Sequence, residues 1–254
     1  REERLIGAKP LGFKRLGEAP QPANVAPAMS VLHLLGTAGE GGAETYFADL
    51  VEALARGGVA QAAAIRRNAG REARLRAAGV PLKTLPFGGP IDIITRPATA
   101  GFAAVHGTKV LVAWMNRAAR HSPRGPWARI GRLGGYYSLK YYRGFDHLVA
   151  NTEDIAEWVV GQGWPAGRVT CIPNFAAAPE HAAPVDRASL STPAGVPLLL
   201  ALGRLHENKA HDVARQALTQ IPEAWLWIAG AGPLEAKLKG LATALGVTDR
   251  VRFL

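Results

Sequence analysis

Residues 30–58 read SVLHLLGTAGEGGAETYFADLVEALARGG. Three signals follow one another there. Val31–Leu35 is a short apolar run of the kind that forms a strand covered on both faces. Gly36, Gly39, Gly41 and Gly42 then supply a turn. From Ala43 to Arg56 the apolar residues Tyr46, Phe47, Leu50, Val51 and Leu54 recur at helical spacing, and Gly57-Gly58 ends the run. Strand, glycine turn and helix in that order make the unit from which a parallel sheet with helical cover is assembled.

The same alternation continues outward. Strands are predicted at Ala60–Ile65, Pro81–Leu85, Val110–Trp114, His147–Ala150 and Val169–Ile172, with a helix over Ile93–Val105. Asn151-Thr152 followed by Glu153 and Asp154 predicts a capped helix start, because early carboxylates suit the amino-terminal dipole. Residues 176–197 are rich in Ala-Pro and Ser-Thr-Pro turns and read as a linker. A second series follows: strand Leu198–Leu202, helix Ala210–Ile221, strand Trp225–Ala229, helix Leu234–Leu245 and strand Val251–Leu254. Upstream, Pro10, Pro20, Pro22 and Pro27 interrupt residues 1–28, which read as a flexible extension ahead of a natural start at Met29. The expected organisation is an extension over 1–28, a doubly wound α/β domain over 29–183, and a second, incomplete parallel α/β domain over 184–254.

Composition narrows the function. Hydrophobic residues make up 48% of the 254, enough for a sizeable core. The formal net charge of +10 favours anionic partners such as a nucleotide diphosphate or an anionic lipid surface. The single cysteine, Cys171, leaves no internal disulfide and reads as a small core residue, with the cytoplasm as the expected compartment. No run reaches the ~18 apolar residues of a membrane span. Lys9, Pro10, Lys14, Arg15 and Glu18 break up the apolar pattern that a signal peptide needs. No His/Cys/Asp cluster has metal-ligand spacing, so no metal and no bound cofactor is expected.

Three motifs sit at strand-to-helix corners. Gly39-Glu40-Gly41-Gly42-Ala43-Glu44 follows the first strand. It reads either as a ligand-approaching loop backed by helix N–H donors or as a plain tight turn. Glu44 reads either as a cap of its own helix or as a ligand contact. The glycine spacing is not that of a dinucleotide fingerprint, and Arg66-Arg67 stand where its acidic residue belongs. The second motif is Leu202-Gly203-Arg204-Leu205-His206-Glu207-Asn208-Lys209-Ala210-His211-Asp212. It sets two cations at a sheet edge, where a fork of Arg donors and a Lys point charge suit a diphosphate leaving group. The third, Gly230-Ala231-Gly232-Pro233, follows the next strand, with Pro233 expected in the first turn of a helix.

Together these motifs resemble the retaining GT-B glycosyltransferases of glycosyl transferase group 1, family four, over residues 29–254. The matching elements are the Gly-Gly-Ala-Glu loop, Gly-Arg-Leu with Lys209 and His211-Asp212, Gly-Ala-Gly-Pro-Leu, and Ile172-Pro173-Asn174 before the linker. The resemblance implies two Rossmann-like domains facing a cleft. It implies that Arg204 and Lys209 hold the donor diphosphate as catalytic groups, that Gly41-Gly42 sits over phosphates or sugar, and that Gly230, Gly232 and Pro233 lie near the nucleoside. The reaction implied is metal-independent transfer with retained configuration from a nucleotide-diphosphate sugar. Ala210 departs from the family, where many members carry Gly after the Lys. The family's two spaced glutamates lie beyond Leu254, so the 254 residues alone are expected to be inactive.

From Arg117 to Phe145 there is no acidic residue. Arg117, Arg120, Arg124, Arg129, Arg132, Lys140 and Arg143 are interleaved with Trp127, Tyr136, Tyr137, Tyr141 and Tyr142. This mixture suits an anionic membrane surface or lipid-linked acceptor, or else a solvated helix packing its aromatics inward. No nucleic-acid module accompanies it. Asn116 and Arg117 follow a strand end and are expected to face the cleft, and His121 is placed on a loop; with Glu44 these form the acceptor-side set. The functional expectation is transfer of sugar to a glycan or lipid-linked acceptor in envelope polysaccharide or lipopolysaccharide synthesis, in the cytoplasm or on the inner face of the plasma membrane. The competing expectations are a non-catalytic acceptor- or membrane-binding module and a nucleotide-sugar epimerase of related fold.

Overall fold

The first strand, β1 (Ser30–Leu35), is buried on both sides, and its alternate residues divide between two cores. Leu32 and Leu34 enter one, Leu35 the other. β2 (Gln61–Ile65) splits the same way, Ala62 and Ala64 against Ala63 and Ile65. Two-residue periodicity with apolar residues on both faces requires helices on both faces, and the structure has them. The computed structural model describes residues 30–89, 91–176 and 183–254. The extension expected over 1–28 and the part of the linker at 177–182 lie outside the described residues.

The described residues form two compact units, 30–176 and 183–254. In the first, β1, β2, β3 (Leu82–Thr84), β4 (Thr108–Trp114), β5 (Ala128–Leu133), β6 (His147–Ala150) and β7 (Val169–Cys171) make one parallel sheet in the order β3-β2-β1-β4-β5-β6-β7. The chain order reverses between β1 and β4, which are directly paired. Helices α1 (Gly42–Arg56) and α2 (Ala69–Ala77) cover one face through Phe47, Val51 and Leu75. Helices α3 (Thr95–Val105), α4 (Met115–His121) and α5 (Glu153–Gly161) cover the other through Ala103, Ala118, Ala119 and Val159. At the end of α1, Gly58 takes φ +74°, and Val59 donates back to the Leu54 carbonyl, as a helix-terminating glycine should. Thr152 caps α5 by accepting from the Ile155 N–H.

The second unit is a three-stranded parallel sheet, β10-β9-β8, built from β8 (Leu198–Leu202), β9 (Trp225–Ala229) and β10 (Val251–Phe253) with α6 (His211–Leu218) and α7 (Glu235–Ala244). Its core gathers Leu205, Leu218, Leu226, Ile228 and Leu238. Both units are parallel α/β layers, as expected from the alternation of strand and helix signals.

Four elements depart from the sequence reading, one of them α4, which stands where a loop was expected. α2 is absent from it because AGREARLRA carries one large apolar residue, Leu75, among four charged ones. β5 is hidden because ARIGRL has a cation at two of its six positions. The fold accepts them by laying the Arg129 guanidinium 4.7 Å from the Phe145 ring centroid and that of Arg132 5.4 Å from Tyr46. Gly131 between them lets Tyr142 lie against the strand, since a methyl there would come within 2.5 Å of the ring. Last, α6 starts at His211 and ends at Leu218, shorter than expected, with Ala210 in a left-handed turn at φ 49°.

Candidate active site

The β1–α1 loop is held in shape from outside. Arg71, on α2 and only 4% exposed, donates to the Thr37 carbonyl at 3.1 Å and the Gly39 carbonyl at 2.8 Å. Asn68, the cap of α2, donates to the Ala38 carbonyl at 3.0 Å and the Glu40 carboxylate at 2.7 Å. Three successive loop carbonyls thus face α2. In a trans peptide the N–H of each unit points opposite to its carbonyl, so the following N–H groups turn away from α2. Glu44 folds over the start of its own helix: it accepts the Thr37 hydroxyl at 2.9 Å, and its Oε2 lies 2.7 Å from where a Gly41 methyl would stand. No backbone N–H of α1 is capped by its side chain; the hydroxyl of Thr37 is what it holds.

The loop opens on a pocket of ≈ 210 Å³ lined by Gly42, Ala43, Tyr46, Trp114, Met115, Arg132, Gly134, Asn151 and Asn174. These residues stand at the amino terminus of α1 and at or just beyond the carboxyl ends of β4, β5, β6 and β7, beside the reversal of strand order. Open parallel sheets bind ligands at such a switch point, and the first N–H groups of a helix are donors without an intrahelical partner. Met115 occupies φ +61°, a strained conformation for a side-chain-bearing residue and one that concentrates at functional sites. Arg132 is 6% exposed; its Nη2 donates to Asn174 at 2.5 Å, while Nη1 has no partner among the described residues. Burial lowers its pKa, with Tyr46 opposing. Asn151 Oδ1 is likewise buried without a partner among the described residues. An unmatched buried donor and acceptor on one small pocket mark a place for a polar ligand. Single-sequence reading placed Arg132 in a basic surface run; only the pairing of β5 with β4 moves it into the crevice.

The acceptor-side set separates. Gly41, Gly42 and Glu44 belong to the crevice loop. Asn116 begins α4 beside Met115, its Oδ1 buried without a partner among the described residues. Arg117 donates to the Phe87 carbonyl at 3.1 Å, and its Cγ lies 2.9 Å from where a Gly36 methyl would stand. Arg117 is exposed and does not line the pocket. His121 is not on an open loop. It ends α4 at 3% exposure, with Nε2 3.0 Å from the Gly88 carbonyl and Nδ1 3.8 Å from Asp92. Burial, with Arg120 and Arg96 nearby, holds its pKa below the usual range.

In the second unit the predicted residues converge. Gly203 N–H donates to Ala229, and Leu205 N–H to Ala231, stitching the β8–α6 corner to the β9–α7 corner. A methyl on Gly230 would fall 2.2 Å from the Gly203 carbonyl oxygen, and one on Gly232 2.4 Å from that of Leu205. The absent side chains of Gly230 and Gly232 therefore admit the neighbouring loop. Gly203 takes φ +151°, and the Lys209 stem lies along it, Cε 3.4 Å from the position of a Gly203 methyl. Arg204 and Lys209 are both exposed at the carboxyl end of β8. His211, 4% exposed, sets its Nε2 3.3 Å from the Arg204 carbonyl. Pro233 lies in a turn before α7, which begins at Glu235, rather than in the first helical turn.

The basic run also divides. Tyr142 and Phe145 are core residues at 0% and 2% exposure, and Tyr137, Leu139 and Tyr141 pack against the same core. Tyr136, at 61%, is the exposed member and hydrogen-bonds Asp154. The aromatics expected at a membrane surface are thus mostly inside, because the 3₁₀ turn at Leu139–Tyr142 after β5 folds them onto the core. No helix among the described residues is long and apolar enough to cross a membrane.

A parallel α/β unit with its polar crevice at the strand reversal, followed by a second with a cationic corner, is the layout of a GT-B glycosyltransferase. Residues 41–174 match the glycosyl transferase 4-like domain and residues 183–254 match glycosyl transferases group 1; the chain belongs to this family. It is similar to the lipopolysaccharide core biosynthesis glycosyltransferase LpsE of Rhizobium meliloti (strain 1021), 38% identical over 84% of this chain and 63% of that protein. LpsD of the same organism, which carries the same description, is 36% identical over 89% of this chain and 66% of its own length. The chain thus spans just under two thirds of the length of both relatives. Among solved structures, Anabaena Alr3699/HepE in complex with UDP superposes with a TM-score of 0.70 at 17% identity, over 89% of this chain and 69% of that one.

Proposed function

We propose that the protein transfers a sugar from a nucleotide-diphosphate donor to a glycan or lipid-linked acceptor in lipopolysaccharide core or related envelope polysaccharide assembly, with retained configuration and without a metal. Arg204 and Lys209 hold the diphosphate: Arg by a fork of donors, Lys as a compact charge, both stabilising the negative charge that grows on the leaving group. Gly230, Gly232 and Pro233 shape the corner beside the nucleoside. Gly41 and Gly42 offer N–H groups to substrate, and Asn116, Glu44 and Arg132 furnish the acceptor side. Arg117 and His121 act by fixing the loops beneath. The reaction takes place on the cytoplasmic side of the plasma membrane. The observation that carries this reading is that each unit raises its glycine-cornered polar residues at the carboxyl ends of parallel strands. The likeness to the lipopolysaccharide core biosynthesis glycosyltransferases LpsE and LpsD and the UDP in the HepE structure support it.

The test is a calorimetric titration with UDP, GDP and ADP. One nucleoside diphosphate should bind, and Arg204→Ala and Lys209→Ala should each weaken it roughly tenfold or more, as for loss of a charge-assisted phosphate contact. Equal affinity in the wild type and both variants overturns the assignment of these two side chains.

A further inference from the structure

Five cations of the basic run gather elsewhere, together with Arg96 from α3. Arg96, Arg120, Arg124, Arg129, Lys140 and Arg143 surround a pocket of ≈ 570 Å³ formed by α3, α4, the start of β5 and the turn at Leu139–Tyr142. No Asp or Glu lines it, and none of the six forms an ion pair among the described residues. Asp146, beside Arg129, is engaged by the Arg129 backbone N–H at 2.8 Å. Arg96 is held in place by the Arg120 carbonyl, with Nη2 at 2.6 Å, and Arg129 by the Gly144 carbonyl. Ser122, 4% exposed, lines the same pocket and its hydroxyl has no partner among the described residues. Tyr141 adds a ring to the wall. This is a different place from the crevice. Arg129 and Arg132 are three residues apart on β5, so they lie about 10 Å apart along the strand and on opposite faces of the sheet.

Like charges crowded without counterions oppose each other, and Arg guanidinium groups are suited to phosphate oxygens. A phosphate monoester carries about −1.5 to −2 at neutral pH, so six cations outnumber what one phosphate offsets. The volume falls within the range of small-ligand sites, roughly 300–1,000 Å³, and exceeds the needs of a bare ion. We propose that this pocket binds a saccharide bearing more than one phosphate, its esters held by the arginines and the Ser122 hydroxyl and its ring against Tyr141. That this saccharide is the charged remote part of the acceptor rests on the transferase reading above; its binding here does not.

The experiment titrates the protein with glucose 1,6-bisphosphate, glucose, inorganic phosphate, UDP and vesicles of phosphatidylglycerol. Glucose 1,6-bisphosphate should bind, glucose should not, and inorganic phosphate should bind at least tenfold more weakly. Arg124, Lys140 and Arg143 are exposed, so the triple change to Gln keeps the fold; it should weaken the bisphosphate roughly tenfold or more, and Ser122→Ala severalfold. Arg204→Ala should leave bisphosphate binding unchanged while it weakens nucleoside diphosphate binding roughly tenfold or more, which separates this proposal from the donor-site reading. Binding of vesicles without the bisphosphate assigns the pocket to a lipid headgroup and overturns the saccharide. An unchanged affinity in the triple variant, in a protein that still binds UDP or shows wild-type circular dichroism, overturns the site.

Discussion

β1 in the first unit and β8 in the second are both short leucine-rich strands followed by a glycine corner, yet they end in opposite surroundings. Leu32, Leu34 and Leu35 of β1 are wholly buried, whereas Leu199, Leu200 and Leu202 of β8 are 40%, 55% and 70% exposed. β1 has a strand on each side and helices on both faces; β8 pairs only with β9 among the described residues. β9, between two neighbours, has Leu226, Trp227 and Ile228 at 5% or less. The apolar pattern of a strand therefore records what it is built to be covered by. Cover itself comes from neighbours. The two units also differ in what holds their corners: side chains reaching from α2 in the first, backbone pressed on backbone in the second.

That difference can be broken at its most crowded point. Gly230→Ala puts a methyl 2.2 Å from the Gly203 carbonyl at φ +144°, so steric and conformational strain together should cost about 4 kcal/mol. Hydrogen exchange should show protection lost across 198–254 and kept across β1 and β4; equal loss in both would erase the contrast. Acid should sharpen it from the other side. His33, enclosed between Phe47 and Trp114, has its pKa lowered by burial to about 4 from an ordinary 6.5. Between those values the unfolded chain binds a proton that the folded chain does not, so stability falls as pH drops from about 6.5 towards 4 and is fully present above that window. The loss should approach about 3 kcal/mol, and His121 and His147, also held down by burial, act in the same direction. Urea midpoints at pH 7.5 and 4.5, read by exchange in β1, measure it; a midpoint that does not move would contradict a neutral buried imidazole. The smallest effect is a gain. Ala210 sits at φ 49°, where a Cβ costs about 1 kcal/mol, so Ala210→Gly should raise the stability of the second unit by about that amount. A fall in its unfolding midpoint would refute the strain.

Most strands and helices were legible from alternation and glycine punctuation, and so was the convergence of Arg204, Lys209, Gly230 and Gly232 on one corner. The rest was hidden for a common reason. Arg71, Arg129 and Arg132 are cations whose burial is made tolerable by partners far along the chain: loop carbonyls at 37 and 39, the ring of Phe145, the ring of Tyr46. A local window shows only their charge. The same limit explains why His121 reads as a loop residue and is found under Gly88, and why the glycines at 230 and 232 read as room for a ligand when their space is taken by Gly203 and Leu205.

The grip of Asn68 and Arg71 on residues 37–40 has a thermodynamic consequence. Ordering a free loop costs roughly 1–2 kcal/mol for each residue fixed. Here that entropy is surrendered once, as α2 docks during folding, and is not demanded again at each encounter with substrate. The crevice is preorganised by a helix that does not line it.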